Sequence, residues 1–223
     1  MGNQGRYPTV DKLPVSAPVF PLTGVVLLPR VRLPLNIFEP RYLAMVDAAL
    51  AGERVIGMIQ PEVASAEEET AHPELARVGC LGRISAFSET GDGRYLLTLT
   101  GLCRFSVERE LEVETAYRQV LMDFGGYGGD LEPAPAPALE RERLFGALAP
   151  YLERKGLEVD WDSLKGADGE ALVNTLAMML PMGAREKQGL LLAETIHQRA
   201  DLLLTLLEMD RSRGSGNDET PLQ

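Results

Sequence analysis

The side chains that most often carry catalysis are few in this chain. His72 and His197 are its two histidines, Cys80 and Cys103 its two cysteines, and none of the four stands two to five positions from another. Metal ligands often announce themselves by such spacings, whereas a Cys-His or Ser-His-Asp site would need the fold to bring its members together. The chain has no GxxxxGK[ST] phosphate loop, no HExxH, no GxSxG elbow and no CxxC. Carboxylates are plentiful, but Glu67, Glu68 and Glu69 form a charge run inside "PEVASAEEETAHPE", which reads as a solvated acidic loop. No catalytic residue, metal ligand or cofactor-binding residue is assigned, and no enzymatic activity is expected. The remaining charged pair of interest is Glu39 and Arg41 in "FEPRY". Arg41 could hold a peptide carboxylate. Glu39, if partly buried, needs a partner, and Arg83 or Arg104 on neighbouring strands is the expected one.

These residues sit at the end of the most apolar long stretch, "FPLTGVVLLPRVRLPLNIFEPRY" (20–42). Prolines at 21, 29, 34 and 40 exclude one continuous helix, because each interior proline costs about 3 kcal/mol. Arg30, Arg32 and Asn36 exclude a membrane span. Short strands at 18–22, 25–28 and 31–38 fit, with prolines at strand ends, bulges or sheet edges. In the third, Val31, Leu33, Leu35 and Ile37 point one way and Arg32, Pro34, Asn36 and Phe38 the other. A helix follows over "RYLAMVDAALAGE", then a short buried strand at 54–60. Two long alternating strands joined by "TGDGR" form a hairpin, and "AYRQVLMDF" is a last strand. Gly79, Gly82 and Gly101 inside strands mark bulges or barrel corners.

Gly125–Ala138 has the composition of a linker, glycine first and proline after. Beyond it the apolar period changes from 2 to 3.6. One helix is striped by Leu144, Phe145, Leu148, Tyr151 and Leu152, with a kink expected at Pro150. Asp168 caps a second, and two more follow at "AREKQGLLLAE" and "TIHQRADLLLTLLEMDR". Trp161 is read as a core anchor of the turn "VDWDSL", His197 as a boundary residue, and the residues from Ser212 on as a disordered tail. The reading is α+β: a flexible start (1–13), a β domain (14–124), a linker (125–138), a helical bundle (139–210) and a tail (211–223).

Composition bounds the partners. With 22 Lys and Arg against 33 Asp and Glu, the net charge is −11, which opposes a phosphate backbone and argues against nucleic acid. The polar first ten residues lack the apolar segment of a signal peptide, and two isolated cysteines in apolar strands read as buried thiols. Both point to the cytoplasm.

Four segments in order, "VFPLTGVVLLPRVRLPLNIFEPRYLAMVDAAL", "VGCLGRI", "DGRYLLTLTGLCRFSV" and "LAMMLPMGAREKQGLLLAETIHQRADLLLTLL", resemble the amino-terminal substrate-binding domain of the ATP-dependent protease Lon. The resemblance runs from about residue 14 to 209. It implies a PUA-like β pseudo-barrel with one packed helix, followed by a helical bundle, and a non-catalytic module that captures unfolded polypeptide or a specific protein partner. The ATPase and Ser-Lys protease modules of that family are absent from the sequence, so a stand-alone bacterial Lon-domain protein is the expectation, without membrane association and compatible with a homo-oligomer. A PUA-like RNA- or small-ligand-binding module is the alternative. Polypeptide capture needs exposed apolar surface, and the proline-rich segment is its best source. Leu28, Val31, Leu33 and Phe38, with Arg41, are the candidate peptide-binding residues, and an edge strand there could accept an extended peptide. The competing reading places all four apolar side chains in the core.

Overall fold

The computed structural model describes residues 9–62, 72–134 and 140–215. The acidic run Glu67–Glu69, the end of the proline-rich linker and the last eight residues lie outside the described residues. Six strands form one sheet: β1 (Ser16–Pro21), β2 (Arg32–Ile37), β3 (Val55–Ile59), β4 (Val78–Glu89), β5 (Tyr95–Glu110) and β6 (Gln119–Asp123), in the order β2-β5-β4-β3-β1-β6. A further β5–β6 pairing closes the last five strands on themselves. All pairings are antiparallel except β1 with β3.

The sixteen residues of β5 explain this shape. One edge of β5 follows β4 from Tyr95 to Ser106, with register shifts at Leu81/Gly82 and Ile84/Ala86 that bend both strands. The opposite edge is divided. Its first half, Tyr95–Thr100, pairs with β2, and its second half, Ser106–Glu110, pairs with β6. β2 therefore hangs on the ring as an extra strand, paired among the described strands with β5 alone.

Between the two halves the chain segment Val25–Leu28 crosses the sheet. The sequence suggests a strand there, but the segment is irregular, and Val26, Leu27 and Leu28 are buried side chains that fill the core. Its backbone comes too close to β5 for ladder geometry: a Cβ on Gly101 would lie 2.0 Å from the Leu28 carbonyl oxygen, and one on Gly82 2.5 Å from the Leu27 side chain. Pro29 and Arg30 then turn the chain, with the Val31 N–H donating to the Leu28 carbonyl at 3.2 Å and Arg30 at φ 66°. Proline at the second position and a positive φ at the third are the signature of a type II turn, where glycine usually takes the place of Arg30.

Helix α1 (Pro40–Ala51) begins with Pro40 at its first turn, where no N–H is needed, and stops at Gly52. It buries Tyr42, Met45, Val46 and Ala49, with Tyr42 4.3 Å from the Phe20 ring. After β6 come α2 (Arg141–Lys155), α3 (Trp161–Gly166), α4 (Gly169–Met179), α5 (Ala184–Leu192) and α6 (Ile196–Ser215). Asp168 caps α4 through the Ala171 N–H at 2.8 Å, as its position suggests. Two expectations change. The stretch around Trp161 is a helix, because the Asp160 carboxylate accepts from two first-turn N–H groups, and α6 continues past Ser212 to Ser215. Pro150 sits inside an α2 that continues on both sides of it. Trp161 is half-buried, edge-on to Phe145 at 6.0 Å. No described helix is long and apolar enough to cross a membrane.

The apolar residues fall into two clusters. Val19, Val55, Leu81, Cys103, Phe105 and Val120 fill the closed ring. The larger cluster joins the crossing segment, α1 and the inner face of β2 to α2 and α4–α6. Both cysteines are free thiols buried in these clusters. The fold is α+β, as the change of period implies. Since Gly101 is the point of closest approach, Gly101→Ala should cost about 3 kcal/mol by overpacking. Gly126→Ala, which meets nothing within 4 Å, should stay within about 0.5 kcal/mol. Urea unfolding midpoints of the two variants check the contrast, and equal costs would contradict it.

Candidate functional site

The five residues named from the sequence do not converge. Leu28 is fully buried in the core, because the segment carrying it crosses beneath β2 instead of forming a strand beside it; it is removed from the candidate surface. Val31 and Leu33 are half-buried on the inner face of β2. Phe38, at the far end of β2, is 62% exposed, with the Arg94 guanidinium 6.0 Å from its ring centre. Arg41 stands next to it, stacked 4.5 Å from the Tyr42 ring.

Glu39 does not pair with Arg83 or Arg104. It takes Arg41, whose Nε donates to its carboxylate at 3.0 Å, and both side chains are about half exposed. The reason is geometric: Glu39 stands at the surface just before α1, while Arg104 lies deep between sheet and helices and already has a carboxylate. Arg41 and Tyr42 line an open hollow of about 390 Å³ with Pro21, Pro61 and Pro73.

The carboxylate that holds Arg104 is Asp130, in a 3-10 turn (Gly128–Leu131) of the glycine-rich segment. Arg104 is 5% exposed. Its Nε and Nη2 donate to the two oxygens of Asp130 at 2.8 and 2.9 Å, and its own backbone N–H adds a third bond at 2.9 Å. Nη1 donates to the carbonyls of Leu191 and Ala193 at the end of α5. Arg199 completes that helix end through the carbonyls of Leu190 and Ala193, and bonds the Asn174 side chain at 2.8 Å. Burial and the neighbouring Arg104 charge pull the Arg199 pKa down to about 10. Lys187 does the same for α4, donating to the carbonyls of Ala177 and Met178. With no carboxylate beside it, burial lowers its pKa from 10.5 to about 8.

From Asp130 the network reaches β2. The Asp130 carbonyl accepts from Arg30, whose Nε also donates to Glu170 of α4 at 3.1 Å. This fixes the N-terminal end of α4 beside the start of β2 and leaves a groove of about 430 Å³ between them. Pro29, Val31 and Arg32 form one wall, and Ala171, Thr175 and Met179 the other. The helical wall is a stripe at four-residue spacing, and Met179 is 64% exposed. The sequence reading missed both Asp130 and this stripe. Asp130 sits in a stretch without periodicity, and Met179 lies beside an apolar face that looks complete without it.

Among the described residues no three His, Cys, Asp or Glu side chains gather as metal ligands. The groove and the strand edge beside it offer backbone hydrogen-bonding groups, apolar surface and the guanidinium groups of Arg30 and Arg32.

Replacing Asp130 by Ala leaves a buried guanidinium unpaired and should cost about 3–5 kcal/mol. Glu39→Ala, which breaks an exposed pair, should cost no more than about 1 kcal/mol; chemical denaturation of both variants tests the ranking. Between pH 8 and 10 the buried Lys187 is neutral in the folded chain and charged in the unfolded one, so the unfolded state binds more protons and stability rises with pH. Measured against Lys187→Met, which lacks that titration, the wild-type melting temperature should gain ground from pH 8 to pH 10; a constant difference would contradict it.

The sequence profile of the ATP-dependent protease La (LON) substrate-binding domain matches residues 16–209. Lon protease of Flavobacterium johnsoniae is 22% identical over 201 residues, which cover 85% of this chain and 23% of that protein. Lon protease 2 of Thermus thermophilus is 28% identical over 204 residues, covering 89% and 24%. This chain thus spans about a quarter of the length of the relatives it matches. Among solved structures, the Lon N-terminal domain protein from Xanthomonas campestris superposes with a TM-score of 0.58 at 28% identity, covering 85% of this chain and 97% of that one. The N-terminal domain of Lon protease from the Mycobacterium avium complex also gives 0.58, at 18% identity, and supports the fold. On the extent of the profile match, the chain belongs to the Lon protease substrate-binding domain family.

Proposed function

We propose that this protein is a non-catalytic module that binds unfolded polypeptide or a protein partner through the proline-rich segment and β2. The observation that carries the reading is the state of β2 and its flanks. Among the described residues the strand has one unpaired edge, the apolar Val31 and Leu33 beneath it, and the exposed Phe38 at its end. Exposed apolar surface beside a free strand edge is a hazard in a protein that binds nothing, and a means of recognition in one that binds chains. Relatives named as Lon proteases contain this region as a substrate-binding part, in agreement with such a role.

The domain limits carry over into this reading: a β domain to 124 that supplies the surface and a helical bundle from 139 that braces it. Hydrolysis is not part of the function, since neither a phosphate cradle nor an activated nucleophile is present in the sequence. The net charge of −11 supports a protein partner over RNA.

The test uses a reduced, carboxymethylated and therefore permanently unfolded protein as the probe. Wild-type protein should bind it in a fluorescence anisotropy titration, and should hydrolyse neither ATP nor casein. Phe38→Asp removes an exposed aromatic contact and should weaken binding about tenfold with the melting temperature unchanged. Absence of any binding by the wild type, or nucleotide-dependent casein degradation by the monomer peak, would overturn the proposal.

A further inference from the structure

The pairing phase of β2 defines which of its backbone groups are free. The Gly101 N–H donates to the Val31 carbonyl at 2.9 Å, and the register Arg32↔Thr100 to Ile37↔Tyr95 runs on without a bulge. In an antiparallel ladder the residues facing the partner alternate. Leu33, Leu35 and Ile37 therefore bond β5, and Arg32, Pro34 and Asn36 turn their N–H and C=O groups to the open edge. Pro34 contributes only a carbonyl. Its missing N–H lies on the solvent side, where a proline costs the sheet nothing.

An added strand at this edge would place alternate side chains on the two faces of the sheet. On the inner face, at the start of β2 where Val31 and Arg32 line the groove, they meet the wall of Ala171, Thr175 and Met179. On the outer face they meet Arg32, Asn36 and Phe38. That face carries no acid from β2 or from its partners Leu96, Thr98 and Thr100, and Arg32 is exposed with no acidic partner among the described residues. The two acids at the groove are engaged, Asp168 in capping α4 and Glu170 with Arg30.

We infer that the groove between β2 and α4 binds an extended peptide as a seventh strand, one with aliphatic side chains on the α4 side and acidic side chains on the Arg32 side. This rests on the polypeptide-binding reading above and specifies its mode and its ligand class. The edge supplies main-chain bonds through Arg32, Pro34 and Asn36, the α4 stripe selects aliphatic residues, and Arg32 selects charge. A second copy of this chain fits the edge less well, because β2 carries no acid to bring to the Arg32 of the other copy.

The probes are two labelled octapeptides, alternating Val-Glu and alternating Val-Lys, titrated into the full chain. The wild type should bind the Val-Glu peptide and discriminate against Val-Lys. Asn36→Pro deletes one edge N–H without touching the bonds to β5, and should weaken the Val-Glu peptide about fivefold to tenfold. Arg32→Glu should reverse the order of the two peptides, which a merely structural residue would not do. Met179→Asp should weaken the Val-Glu peptide while circular dichroism remains that of the wild type. If wild type binds the unfolded protein probe but the Val-Glu peptide neither binds nor competes, the groove assignment falls and polypeptide binding elsewhere stands. Unchanged affinity in Asn36→Pro together with an unreversed order in Arg32→Glu would overturn it as well. A concentration-dependent dimer that Asn36→Pro dissolves, with no peptide bound, would give the edge to a second copy and also overturn it.

Discussion

The pairing of Arg104 with Asp130 is the interaction on which the rest of the molecule depends. A guanidinium taken out of water costs several kcal/mol unless every donor finds a geometrically good partner. Here the fork of Arg104 meets both oxygens of one carboxylate, and its remaining nitrogen faces carbonyls that α5 leaves unpaired at its end. A strand, a turn and a helix end are thus satisfied by one side chain. None of the three can shift without stranding a buried charge, which makes the relative placement of sheet and helices specific where apolar packing alone would permit sliding.

Placement is then passed on toward the surface. The turn that carries Asp130 also accepts from Arg30, and Arg30 binds Glu170, so the same constraint decides how far α4 stands from β2. Arg30 occupies a left-handed conformation at φ 66°, unfavourable for a residue with a Cβ, and its two anchoring partners offset that strain. Gly101 permits the Leu28 carbonyl to approach β5, which brings the turn into reach of Asp130. The result is that the start of β2, the turn carrying Asp130 and the N-terminal end of α4 are tied together by polar contacts, with the groove between β2 and α4 beside them.

Much of this was legible in the sequence, and for definable reasons. The alternation of Val31, Leu33, Leu35 and Ile37 against Arg32, Pro34, Asn36 and Phe38 appears directly as the inner and outer faces of β2, since a period of two leaves no other choice. Pro40 and Gly52 bracket α1, and Asp168 caps α4, because capping is local chemistry. Local pattern fails where the decisive contact is distant. Val25–Leu28 has the composition of a strand, but it crosses between the β2 and β6 halves of β5 and approaches Gly101 too closely for a ladder. Asp130 looks like part of a linker, and only the approach of Arg104 from 26 residues away makes it a buried anchor. Glu39 was assigned a distant partner when its neighbour Arg41 was within reach. The candidate surface shows the same limit: Phe38 is exposed and Val31 lines the groove, Leu28 is core, and the α4 stripe on the groove's other wall lies about 140 residues further along the chain.

The fold therefore displays a strand edge that is open among the described residues, beside a polar network that fixes α4 next to the start of β2, in the family of the Lon protease substrate-binding domain. Backbone amide hydrogen exchange tests that claim most directly. In the free protein the amides of Leu33, Leu35 and Ile37, bonded to β5, should exchange slowly and those of Arg32 and Asn36 fast. When unfolded polypeptide is bound, Arg32 and Asn36 should become protected while the other three stay as they were. Protection confined to other parts of the molecule, with Arg32 and Asn36 still exchanging fast, would contradict it.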